Sequence, residues 1–147
     1  MEKELIQHLD SPHFLPEGAM FDLYLTDEMP PEELTTSVFG FIFCGDKVLF
    51  TKGEEDHKHE WEIPGGHREE GESFEDTLFR ELREETGVVP EKVAYIAHSR
   101  TSVPMNIQNY HYPKPENYMV YYVGVASSLV QPSEIGKWVS IEEAREN

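Results

Sequence analysis

The chain has 147 residues, 38% hydrophobic and 12% aromatic, enough for one globular domain with a sizeable core. Its formal net charge of −17, from 12 basic and 29 acidic residues, opposes binding to a nucleic-acid duplex or an anionic membrane, so a phosphate ligand must arrive with cations. A single cysteine, Cys44, excludes an internal disulfide and any multi-cysteine zinc site.

The start, MEKELIQHLD, has no basic segment followed by an apolar one and does not read as a signal peptide. No uncharged run, Leu34 to Gly45 among them, is long enough to cross a bilayer, so the expected location is the cytoplasm. Residues 1–34 read as an N-terminal extension, with a short helix over 2–9 and a strand in FDLYLTD at 21–27. Pro12, Pro16, Pro30 and Pro31 punctuate the rest.

From Thr35 to the end the chain reads as the principal domain. TTSVFGFIFC is β-branched and aromatic, Gly45-Asp46 makes a turn, and KVLFTK returns as the hairpin partner, with Cys44 a buried strand thiol. GEEDHKHE follows; His57 and His59 read as part of a polar loop rather than as a metal pair. Trp61, in WEIP, is expected in the core rather than stacked on a base. Ser73 is a good helix N-cap with Asp76 as its capping-box partner, and Gly87 is placed to end that helix. Strands are expected in VAYIAHSRTSV (93–103), YMVYYVGVAS (118–127) and WVSI (138–141), and Ser140 with Glu143 opens a C-terminal helix.

The helix after Ser73 carries the chemistry. At 100° per residue, Phe74, Leu78, Leu82 and Phe79 form its buried face, and Glu81, Glu84 and Glu85 share an arc about 100° wide that borders it. Like charges at these spacings cost roughly 0.2–0.5 kcal/mol per pair in an isolated helix. A solvated face paired with Arg80 and Arg83 is one account of them. Clustered oxygens for a hard cation such as Mg²⁺ or Mn²⁺ are the other, and the preceding Gly65, Gly66 and Gly71 favour it because glycine lets a backbone carbonyl approach an ion.

The segment Gly66 to Val88 resembles the Nudix box. Gly66, Glu72, Arg80, Glu81, Leu82, Glu84, Glu85, Gly87 and Val88 match all nine specified positions of that 23-residue pattern. The resemblance extends over residues 35–147, with WEIPGG leading into the box and EIGKWVSIEEA closing the domain. It implies an α/β fold, an α/β/α sandwich around a mixed β-sheet, and Mg²⁺-dependent hydrolysis of a nucleoside diphosphate linked to another moiety by water attack at phosphorus. Carried over by position, Glu81, Glu84, Glu85 and the Gly66 carbonyl would hold the metal. Arg80 would orient the glutamates and Glu72 would support the loop–helix junction. Glu81 or Glu85 is the expected general base, with Glu116 and Glu134 as loop alternatives.

Arg68, Tyr110, Tyr112 and Tyr118 are the candidate substrate contacts. Aromatic faces accept any base, and Arg68 or Lys52 could reach phosphates; His111 shares the tyrosine-rich loop. The substrate is expected to be a nucleoside triphosphate or nucleotide sugar. Pro104, 16 residues after Val88, resembles a placement seen in ADP-ribose pyrophosphatases, which makes that activity an alternative. A non-catalytic nucleotide-sensing Nudix domain is another, as is a plain calcium binder, although no DxDxDG-type loop occurs. A homodimer is a further expectation from the family.

Overall fold

A computed structural model describes residues 3–52, 61–127, 132 and 136–146. His57, His59 and Glu134 lie outside the described residues. The chain divides into two compact units: Met1–Ser37 with Tyr95–Tyr121, and Val38–Ala94 with Tyr122–Asn147. Strands β3 (Thr35–Cys44), β7 (Lys92–Ser102) and β8 (Glu116–Val125) each have residues in both.

In the first unit the strand order is β1 (Glu4–Asp10), β2 (Met20–Leu25), β7, β8. The short helix expected over residues 2–9 is instead strand β1, paired antiparallel with β2 from Asp10↔Met20 to Glu4↔Leu25. A helix this short is marginal in water, and the backbone hydrogen bonds that β2 offers decide the outcome. The turn between them is closed by Ser11 N donating to the Ala19 carbonyl at 2.7 Å and Gly18 N donating to Ser11 Oγ at 2.9 Å. β2 pairs antiparallel with β7, Met20↔Ser102 to Leu25↔Ala97. Phe21, Ala97, Val103 and Val120 are buried here, alongside the polar Asp22, His98, Ser99 and Thr101.

In the second unit β3 and β4 (Lys47–Lys52) form the expected hairpin, Cys44↔Lys47, around a Gly45 with φ of 59°. β4 is flanked by β5 (Trp61–Glu62) and by β9 (Gly136–Ser140), both antiparallel to it. A short strand that the sequence did not announce, β6 (Gly65–His67), pairs with β3. Helix α1 spans Phe74–Glu85 with the capping box of Ser73 and Asp76 intact. Its Leu78 and Leu82 are fully buried, and Leu78 fills the space a side chain at Gly40 would need. Helix α2 (Ile141–Glu146) follows β9, with Glu143 N donating to Ser140 Oγ at 3.2 Å.

Two expectations for single residues change. Trp61 is 39% exposed, because the two-residue β5 leaves its ring outside, where Lys137 Nζ lies 4.1 Å from the ring centroid. Cys44 is only half-buried, since it ends its strand at the hairpin turn.

Candidate functional site

The second unit brings the box residues together around one guanidinium. Arg80, a turn into α1, donates from Nε to Glu72 Oε2 at 2.6 Å and from Nη2 to Glu72 Oε1 at 3.0 Å, a two-pronged grip on the loop before the helix. Its Nη1 donates to Glu81 Oε1 at 2.9 Å and Glu84 Oε2 at 3.3 Å, and Nη2 also reaches the His67 carbonyl at 2.9 Å. One cation is therefore hydrogen-bonded to three carboxylates and the strand β6, with Glu69 Oε1 a looser 3.8 Å from Nη1.

Glu72 is the best-held acid of the set. It also accepts from Glu69 N and from Thr77 Oγ1, each at 2.9 Å. The Arg80 hydrogen bond, with these two, holds its carboxyl down at about 2. Arg68 Nη2 donates to the Glu72 carbonyl at 2.7 Å while its guanidinium lies 4.7 Å from the Phe74 ring centroid, so Arg68, expected at substrate, pins the same junction.

The glycines at the loop are needed for different reasons. Gly65 has φ of 151°, and a Cβ there would run into the Val38 carbonyl and the Phe39 ring; its N–H donates to Glu85 Oε1 at 2.9 Å. At Gly66 the three atoms a Cβ would meet first all belong to the Glu81 carboxylate. A Cβ on Gly66 would lie 2.7 Å from Glu81 Cδ, so the missing side chain is the space the Glu81 carboxylate occupies. Burial there pushes the Glu81 carboxyl up from the ordinary glutamate value, against the opposing pull of Arg80.

The donor set suits a hard cation: three carboxylates on neighbouring helical turns, beside a glycine against which one of them packs. Among the described residues, no three acidic, histidine or cysteine side chains already converge as a metal cage. Arg80 takes Glu81 and Glu84, and Gly65 takes Glu85.

The aromatic candidates lie in the first unit. Tyr110 accepts from Asn117 Nδ2 at 2.6 Å and packs edge-on to Tyr112, centroids 5.6 Å apart, with Tyr112 exposed. Tyr118 donates to Glu116 Oε1 at 3.0 Å and meets His98 edge-on at 5.7 Å. The sequence missed the Gly65–Glu85 bond and the Thr77 contact to Glu72. Both join residues whose spacing carries no charge or hydrophobic pattern.

A sheet with helices of the α/β class, bearing this loop and acidic helix, is the architecture of a Nudix domain. The family model for the NUDIX domain matches residues 33–147, and the chain belongs to that family. Among curated proteins it is 38% identical over 61 residues to the RNA pyrophosphohydrolase of Psychromonas ingrahamii, a stretch covering 42% of this chain and 34% of that one. It is 42% identical over 75 residues to that of Pseudoalteromonas atlantica, covering 51% and 40% respectively. The matched stretch thus spans less than half the length of these relatives. Among solved structures, Bacillus subtilis pyrophosphohydrolase BsRppH is similar with a TM-score of 0.66 at 17% identity, covering 91% of this chain and 77% of that one. The NUDIX domain of Shewanella oneidensis NrtR, solved with ADP ribose, gives 0.57 at 22% identity, with 76% of each chain covered. At these identities both structures speak for the fold. Among the described residues no helix is long and apolar enough to cross a membrane.

Proposed function

We propose that this chain hydrolyses a diphosphate linkage in a nucleoside diphosphate joined to another moiety, a nucleoside triphosphate or nucleotide sugar, with Mg²⁺ or Mn²⁺. The observation that carries the reading is the charge arrangement at Arg80: one guanidinium is shared by three carboxylates, so the site holds more acid than its own cation satisfies. Glu81, Glu84, Glu85 and the Gly66 carbonyl are the groups that would hold the metal. Bound there, a divalent ion neutralises phosphate charge and lowers the pKa of a water. Arg80 keeps Glu81 and Glu84 on one side of the helix, and Glu72 fixes Arg80. Glu81 or Glu85 takes the proton of the attacking water, with Glu116 as the loop alternative. The balanced reaction adds one water across the P–O–P bridge and leaves two phosphorylated products.

In this reading residues 35–147 are the hydrolase domain and residues 1–34 an extension to it, and the protein works in the cytoplasm, as a monomer or homodimer. A second reading, removal of pyrophosphate from an RNA 5′ end, is favoured by the names of the relatives. ADP-ribose hydrolysis is supported only by the Pro104 placement and by the ligand of the NrtR domain.

The test is a substrate panel with Mg²⁺ or Mn²⁺: nucleoside triphosphates, ADP-ribose, nucleotide sugars, dinucleoside polyphosphates and a short 5′-triphosphorylated RNA. The first reading expects release of phosphate or pyrophosphate from a free nucleotide. Turnover of the RNA alone would replace it by the second. Binding with metal but no turnover of any compound would leave a nucleotide sensor.

A further inference from the structure

In the first unit, a second charged cluster lies where β2 pairs with β7, outside the box. The register sets Asp22 opposite Arg100 and Tyr24 opposite His98. Residues two apart on a strand share a face, so these four stand together, and Tyr118 joins them against the His98 ring.

Arg100 is held there but under-used. Its Nη2 donates to Asp22 Oδ2 at 3.4 Å and to the Tyr24 hydroxyl at 3.3 Å, both at the long end of the range. Its Nε is buried and has no acceptor among the described residues. A guanidinium has five N–H donors, and a buried donor left unmet is costly. Asp22 cannot turn fully to Arg100, because its other oxygen is bonded to His8 Nδ1. Lys3 brings a second cation, its Nζ 4.2 Å from the Tyr24 ring centroid.

The cluster is reachable. The Arg100 side chain is 35% exposed, and Tyr24 and Tyr118 are half-buried. The acids nearby are already engaged: Asp22 by His8, and Glu116 by the Tyr118 hydroxyl. The donors come from separate segments, Tyr24 from β2 and Arg100 from β7, with Lys3 just before β1. A tetrahedral anion with several oxygens can meet them together, whereas a planar carboxylate has only two oxygens to offer.

We propose that Arg100, with the hydroxyl of Tyr24 and the ammonium of Lys3, forms an oxyanion site that takes a phosphoryl group without a divalent metal. Its carrier is a nucleotide or free phosphate. The site belongs to the segment preceding the family match together with β7, and it does not depend on the hydrolase reading.

Calorimetry on the full chain in EDTA tests it, with inorganic phosphate and a nucleoside monophosphate as probes. Wild type binds. Arg100→Gln weakens binding by about tenfold or more, Arg100→Lys by less because it keeps the charge but loses the fork, and Glu84→Gln leaves it unchanged. Equal affinity for the two probes identifies the phosphoryl group as the whole ligand; tighter binding of the monophosphate adds the neighbouring rings. Tyr24→Phe keeps the aromatic ring and carries the test if Arg100→Gln does not fold; it should weaken binding several-fold. The proposal is overturned if neither probe binds wild type, if these variants bind as wild type does, or if Glu84→Gln weakens binding as much as they do.

Discussion

Around Arg80 one cation is hydrogen-bonded to three carboxylates, whereas around Asp22 one carboxylate serves two basic side chains, the His8 imidazole and the Arg100 guanidinium. The first cluster is short of positive charge and the second has donors to spare. In a chain with net charge −17 the contrast is informative, because the two clusters call for opposite ligands. In the proposed readings a divalent cation completes the first, and a phosphoryl oxyanion completes the second. The supporting backbones differ as well. The acidic cluster rides on a capped helix and a glycine loop in sequence reach of one another, and the Asp22 cluster exists only through strand pairing.

The largest effect that would sharpen this comparison concerns the acids themselves. Glu84→Gln or Glu85→Gln should cost more activity than the roughly 10–100-fold typical of residues that only support a metal ligand, with little change in Tm. Steady-state kinetics beside a thermal melt checks this. Arg80→Lys follows. A lysine cannot grip Glu72 with two prongs while reaching Glu81 and Glu84, so kcat/KM should fall by about 10–100-fold. Activity equal to wild type in Arg80→Lys would mean that the shared guanidinium is incidental.

The paired glycines separate packing from chemistry. Gly65→Ala places a Cβ against the Val38 carbonyl in a backbone conformation alanine resists, so stability should fall by at least about 1–3 kcal/mol. Gly66→Ala meets first the movable end of Glu81, so the melt should stay close to wild type while activity drops. If both variants melt alike and work alike, the assignment of Gly66 to the Glu81 carboxylate is wrong.

How much of this was legible in the sequence depends on the range of the signal. Hairpin β3–β4, the capping box of α1 and the spacing of Glu81, Glu84 and Glu85 are local patterns, and each stands where the residues placed it. Strand β1 was read as a helix because its seven residues carry no decisive period, and the pairing partner that settles the matter lies across the turn. The union of Asp22 with Arg100, 78 residues apart, has no local trace at all. Trp61 misled because an aromatic residue beside a proline reads as core, yet β5 is too short to cover it.

The smallest effects are in pH, and they run in opposite directions. The Arg80 hydrogen bond holds Glu72 at about 2, below its unfolded value near 4.5. Its contribution is present above the unfolded value and is lost as pH falls toward 2. The Asp22 hydrogen bond raises His8 above its unfolded 6.5. That contribution is complete below 6.5 and is lost as pH rises through the higher folded value. Amide exchange should therefore show the loop at 67–73 loosening in acid and β1 loosening as pH rises above 6.5. His8→Gln should abolish the second trend and leave the first.

The most direct test of the account is turnover of the best substrate as Mg²⁺ is titrated from zero, for wild type and for a Glu84→Gln, Glu85→Gln double variant. The account predicts activity that rises from nothing and saturates with metal in wild type, and none in the variant at any concentration. Activity in EDTA, or a variant that saturates as wild type does, would contradict the claim that these carboxylates are completed by a cation.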